Sequence, residues 1–161
     1  MFKVSFKETA NNPSKAVIKT GRVTTVMLRG YTELPHFWPL MPPDINEWIA
    51  EQTKVELYED MAKCAMLIHS EGLSKCMEGD KYDSLLGERL AESRAKMHIY
   101  KFFYDLCCKL YDYYNEILFG NEGVVATGDS GSLERTMVKY EKLYRRELSH
   151  QHELLKGKEN G

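Results

Sequence analysis

A chain of 161 residues, 43% hydrophobic and 29% charged, is long enough for one globular core, and its 11 Gly and 5 Pro exclude collagen-like and low-complexity classes. Lys and Arg number 22 against 24 Asp and Glu, a net charge of -2, so no global field draws the chain to nucleic acid or an anionic membrane. Four irregularly spaced cysteines exclude a disulfide scaffold, no apolar run approaches the ~20 residues of a membrane span, and MFKVSFKETANN lacks the apolar core of a secretory leader. These features imply a cytoplasmic protein with reduced thiols.

In chain order, Phe2, Val4 and Phe6 alternate with Lys3, Ser5 and Lys7, the period of a half-buried strand, and Asn11-Asn12-Pro13 reads as a turn. From Lys15 to Arg29 the β-branched run broken by Gly21 reads as one long strand with a bulge, or two strands sharing a kink, paired with the first. Pro35, Pro39, Pro42 and Pro43 exclude regular structure from a crossing segment pinned by Phe37, Trp38 and Leu40. Asp44 and Glu47 have the spacing of a capping box and open a short helix through Trp48 and Ile49. Residues 50–61 fit helix and strand equally, and a strand from Lys63 is expected to turn as a hairpin at Glu71-Gly72.

The next segment carries the densest local signal. Leu73 and Lys75-Cys76 end a strand, Gly79-Asp80 makes a turn, and Asp83 or Ser84 caps a helix. Gly87, Ala91 and Ala95, spaced by four, let that helix approach the sheet closely. This run, with Asp80, Tyr82, Asp83, Gly87, Leu90, Ala91, Arg94 and Ala95, resembles an uncharacterised family of small phage and mobile-element proteins of the gut Bacteroides-phage type. In that family a strand ending in Lys-Cys runs through an Asp-x-Tyr-Asp turn into a helix. The resemblance covers about 72–96 and implies a phage source, a hairpin-helix module similar to small double-stranded-RNA-binding-like folds, and a place in the host cytoplasm or on the virion. It brings no catalytic residues, and Asp80, Asp83, Glu88 and Glu92 stand where an RNA reader of that kind would carry lysines.

The helix continues. With Phe103 at zero on a 100° wheel, Ile99, Leu106, Cys107, Leu110, Tyr113, Tyr114 and Ile117 form a core stripe. Tyr100, Phe102, Tyr104, Tyr111 and Leu118 widen the apolar arc to roughly 200°, more than one surface covers. A second helix or a second subunit must lie on the other side. The face of Leu86, Leu90 and Ala91 is out of register with the later stripe, which predicts a kink near 94–98. After a loop at 120–131, Ser132 caps a last helix to about Lys156 with a stripe of Leu133, Met137, Tyr140, Tyr144, Leu148 and Leu155, antiparallel to the first. The fold expected is α+β: one domain over 1–156 with a small antiparallel sheet packed on a long helix, a C-terminal antiparallel helix pair, and a disordered tail at 157–161.

The chemistry is sparse. No phosphate-binding glycine loop, nucleophile elbow or His-Glu-x-x-His motif is present, and no cysteine or histidine pair has metal-ligand spacing, so no catalytic residue, cofactor or metal is assigned. Eight of the 18 aromatic rings fall between Tyr100 and Phe119, and Tyr100, Phe102, Tyr104 and Tyr111 flank the core stripe as candidate partner-binding residues. The expected function is a non-catalytic phage or mobile-element accessory protein, an assembly component or an inhibitor of a host factor, acting through protein contacts and as a homo-oligomer. An alternative is nucleic-acid binding through Lys3, Lys7, Lys15, Lys19, Arg22 and Arg29, an excess of basic residues confined to the N-terminal strands. A small-molecule enzyme of unrecognised type is the third.

Overall fold

A computed structural model of the chain describes residues 1–6, 14–77, 83–120 and 129–159, without the side chains of 117–120, 129–130 and 158–159. It is α+β, as the sequence predicts: a four-stranded antiparallel sheet, a long helix across it and a last helix against that one. Strands β1 (Lys15–Thr20), β2 (Val23–Glu33), β3 (Val55–Asp60) and β4 (Ala65–Lys75) lie in the order β1-β2-β4-β3. Helix α1 spans Pro43–Glu51, α2 Ser84–Gly120 and α3 Asp129–Glu159.

The run 15–29 holds two strands, the second of the two alternatives, but a full reversal joins them and not a shared kink. Gly21, with φ +61°, and Arg22 fold it back on itself, pairing Thr20 with Val23. The left-handed conformation is why glycine stands there. Among the described residues the N-terminal segment 1–6 pairs with the sheet through one bridge, Ser5 with Tyr31 of β2. In the crossing segment Trp38 is buried, while Leu40 is 82% exposed and pins nothing. Helix α1 begins after Pro42 without a side-chain cap, so Asp44 acts on it only as a first-turn acid.

Residues 55–60 are strand. The hairpin turns at 61–64, with the Cys64 N–H donating to the Met61 carbonyl, and not at Glu71-Gly72. Both central strands bury every second residue over eleven positions, and the buried set of β4 is Met66, Ile68, Ser70, Gly72 and Ser74. Gly72 is therefore a mid-strand residue beneath α2, chosen for closeness. A Cβ on it would sit 1.8 Å from the Ala91 carbonyl oxygen and 2.6 Å from the Ala95 nitrogen. Gly87, Ala91 and Ala95 form the matching row on the helix, and Ser74 Oγ donates to the Gly87 carbonyl at 2.7 Å.

Asp83 caps α2, its Oδ1 accepting from the N–H groups of Leu85 and Leu86 at 3.1 Å. The helix passes 94–98 without a break. Its two faces differ in register because it changes neighbours along its length: small residues meet the sheet first, and large ones enter the core from Ile99 onward. Ile99, Phe103, Leu106, Cys107 and Leu110 are all fully buried with Leu28, Met66 and Ile68. Helix α3 starts one turn before Ser132 and continues through Gly157, so the tail expected at 157–161 is helical up to Glu159. Asn11-Asn12-Pro13, Asp80 and Tyr82 lie outside the described residues.

Candidate interaction surfaces

The wide arc of α2 is covered from within the chain. The sheet lies on one side, α3 on a second, and the segment bearing Trp38 and Trp48 on a third. Tyr100 is 9% exposed with its ring 6.0 Å from Tyr140, and Phe102 is 4% exposed, stacked on Trp48 at 5.5 Å. Both belong to the core and offer nothing to a partner, which corrects their placement in the partner-binding set. Tyr104 and Tyr111 are half-buried. Tyr104 lines a cleft of about 440 Å³ between α2 and α3 with Tyr144 and Leu148, flanked by the ion pairs Lys101–Asp105 and Glu141–Arg145. The four aromatic candidates thus do not form one surface.

The basic candidates are dispersed as well. Lys15 and Lys19 occupy the helix-facing positions of β1, where Lys15 Nζ pairs with Glu88 at 3.3 Å and Glu92 at 3.4 Å, and Lys19 reaches Glu88 and the Ser84 hydroxyl. Burial works against the charge on Lys15, but Glu92 and Glu88 outweigh it and hold its pKa above the usual lysine value. Arg22 sits at the hairpin tip and donates to the Met77 carbonyl at 2.6 Å. Arg29 lies on the opposite face beside His69, Lys3 is exposed near the N-terminus, and Lys7 lies outside the described residues. The first α2 turns, with Glu88 and Glu92, answer β1 and leave no basic stripe there.

Burial pushes the Cys107 thiol up to about 12, so it is protonated at neutral pH. Cys64 and Cys76 flank the two ends of β4, ~40 Å apart along an extended strand, and cannot share an ion. Among the described residues no cluster of three or more His, Cys, Asp or Glu could hold a metal. His98 Nδ1 meets the Glu71 carbonyl at 3.1 Å, and Arg94 donates to that of Leu73 at 2.6 Å, capping the part of β4 that extends past the shorter β3. Burial lowers the His98 pKa below its usual 6.5. A depressed histidine binds its proton more readily unfolded, so stability should fall as pH drops below 6.5, by no more than ~1.4 kcal/mol per unit. Urea titrations at pH 7.5 and 5 should show this loss, and His98→Gln should flatten it.

Two surfaces that the sequence did not single out come from the sheet. Among the described residues no element covers its outer face: Ile18 (48% exposed), Leu73 (55%), Tyr58 (54%) and Tyr31 (36%) surround half-buried Val23, Thr25, Met27 and Leu67. The second is the edge of β3. No family model, curated protein or solved structure matches the chain. Among the described residues no helix is long and apolar enough to cross a membrane. The period of 2 over Ala65–Lys75 places Leu73 on the wet face, which a turn at Glu71-Gly72 would not.

Proposed function

We propose that the chain is a non-catalytic accessory protein of a phage or mobile element that works through protein contacts, with a second copy of itself as the partner on the open sheet face. The exposed apolar set Ile18, Leu73, Tyr31 and Tyr58 carries this reading, because a row of large side chains on one uncovered face marks an interaction site. Charge selects the occupant. The register lines up Lys75 at one end of the face and Glu33 with Asp60 at the other, with Glu71 next to Arg29 and His69 in the middle. A two-fold axis perpendicular to the strands lays Lys75 over the acidic end, Glu71 over Arg29 and His69, and the Ile18–Leu73 row over Tyr31, Leu67 and Tyr58. Such an isologous contact closes at a dimer. The phage source rests on the likeness of residues 72–96.

Sedimentation equilibrium at micromolar concentration should give a dimer. Leu73→Lys removes two buried leucines from the pair and sets a lysine over the apolar Leu67 and Tyr31 of each partner, weakening association by at least ~100-fold with the circular dichroism unchanged. A wild-type chain that stays monomeric at hundreds of micromolar overturns the reading.

A further inference from the structure

The free edge of β3 is a second surface, separate from the open face. In β4 the Cys76 N–H donates to the Arg22 carbonyl, so the even residues of that strand point their backbone groups toward β2 and the odd ones toward β3. The register then pairs Glu56, Tyr58 and Asp60 with His69, Leu67 and Ala65, and turns the N–H and C=O of Val55, Leu57 and Glu59 outward. Among the described residues no strand takes them up.

A groove of about 500 Å³ runs between this edge and α1, with Asn46, Ile49 and Ala50 on the helix wall. Five consecutive β3 residues, Val55 to Glu59, line it, although their side chains alternate between the two faces. A cavity touched by both parities lies along the backbone edge. A free edge beside a helix has the geometry for adding an extended peptide, with main-chain hydrogen bonds giving affinity and alternate side chains entering the groove.

Its charge says which peptide. Between 44 and 60, Asp44, Glu47, Glu51, Glu56, Glu59 and Asp60 face solvent against Lys54 alone. An acidic strand, including β3 of a second copy, is repelled there by like charges across the pair. We infer that the groove between α1 and β3 binds a basic segment in extended conformation by strand addition, an interaction independent of the two-fold contact on the sheet face.

The test uses the full chain carrying Leu73→Lys, so that failure of the sheet-face reading is scored separately. The probe is a short synthetic peptide alternating lysine with valine, beside a copy with glutamate for lysine. Fluorescence anisotropy should show the lysine peptide binding at least ~10-fold tighter, each of several ion pairs contributing modestly. Amide exchange of Leu57 and Glu59 should slow on binding, while Tyr58 and Asp60, already paired to β4, should not change. Methylating the peptide nitrogens on one alternation should abolish binding, and on the other leave it intact. Glu51→Lys with Glu59→Lys, or Ala50→Trp filling the groove, should each remove it with the fold intact. Equal binding of both peptides, binding insensitive to N-methylation, or protection of Leu57 and Glu59 that rises with protein concentration in the absence of peptide would each overturn the inference. The last would assign the edge to another copy of the chain.

Discussion

Gly72→Ala is expected to cost ~3 kcal/mol or more, enough to leave little folded protein at physiological temperature. The added methyl would lie 1.8 Å from the Ala91 carbonyl oxygen and within 3 Å of two further backbone atoms of α2, Ala95 N and Ala91 C. Backbone of a packed helix cannot rotate away as a side chain can. Relief would require lifting α2 off β4, and the same row holds Ser74 Oγ to the Gly87 carbonyl. Two other glycines calibrate the effect. At Gly30 the nearest atoms are the Val4 methyl at 2.6 Å and the Phe6 ring at 3.1 Å, side chains on a segment held to β2 by one bridge, so alanine there should cost less, ~1–2 kcal/mol. At Gly87 the contacts are the hydroxyls of Thr24 and Ser74 at 3.1 and 3.2 Å, and a helix interior gains ~1 kcal/mol on replacing glycine with alanine, so the change should be near neutral. Urea unfolding of the three variants should rank them Gly72, Gly30, Gly87. A Gly72→Ala protein as stable as the wild type would mean that α2 does not seat on β4 as described.

The same residues show what the sequence could and could not disclose. The row Gly87, Ala91, Ala95 announced a close helix–sheet contact, because small residues four apart have one plain use. The other half is not legible, because Gly72 follows His69-Ser70-Glu71, and a glycine after polar residues reads as a turn. Only the partner strand distinguishes the two: β2 extends to Glu33, long enough to pair with β4 through Ala65, and length of pairing is a tertiary property. The Phe103 stripe was legible from periodicity alone. What covered the flanks was not, since Trp48 reaches Phe102 from 54 positions away in sequence and Tyr140 reaches Tyr100 from 40. A second subunit was one way to complete the arc, but the chain completes it with its own crossing segment. One surface left open among the described residues is the outer sheet face, whose residues carry no motif and are visible only once β2 and β4 lie side by side.

Phe103→Ala, with the loss placed at ~3–5 kcal/mol, tests that internal covering directly. Phe103 is fully buried, and its ring meets Phe2 at 5.2 Å, Phe102 at 5.3 Å and Tyr140 at 5.2 Å. Those three rings come from the N-terminus, α2 itself and α3, and Phe2 goes on to pack edge-on against Trp38. The Tyr140 hydroxyl donates to the Phe2 carbonyl, so the N-terminal segment is tied to α3 through the same cluster. Removing one ring therefore empties the point where three parts of the chain meet, and no single neighbour can collapse into the space without leaving another contact. Tyr104→Ala, one position on, should cost under ~1 kcal/mol because its half-exposed ring closes no such junction. A partner role for Tyr104 would leave that order of stabilities unchanged and appear only as weaker association of the Tyr104→Ala protein. Chemical denaturation should separate the two variants by more than ~2 kcal/mol, with Phe103→Ala also exposing Trp38 and Trp48 fluorescence to quencher. Equal stabilities would show that α2 is held by something other than this aromatic junction.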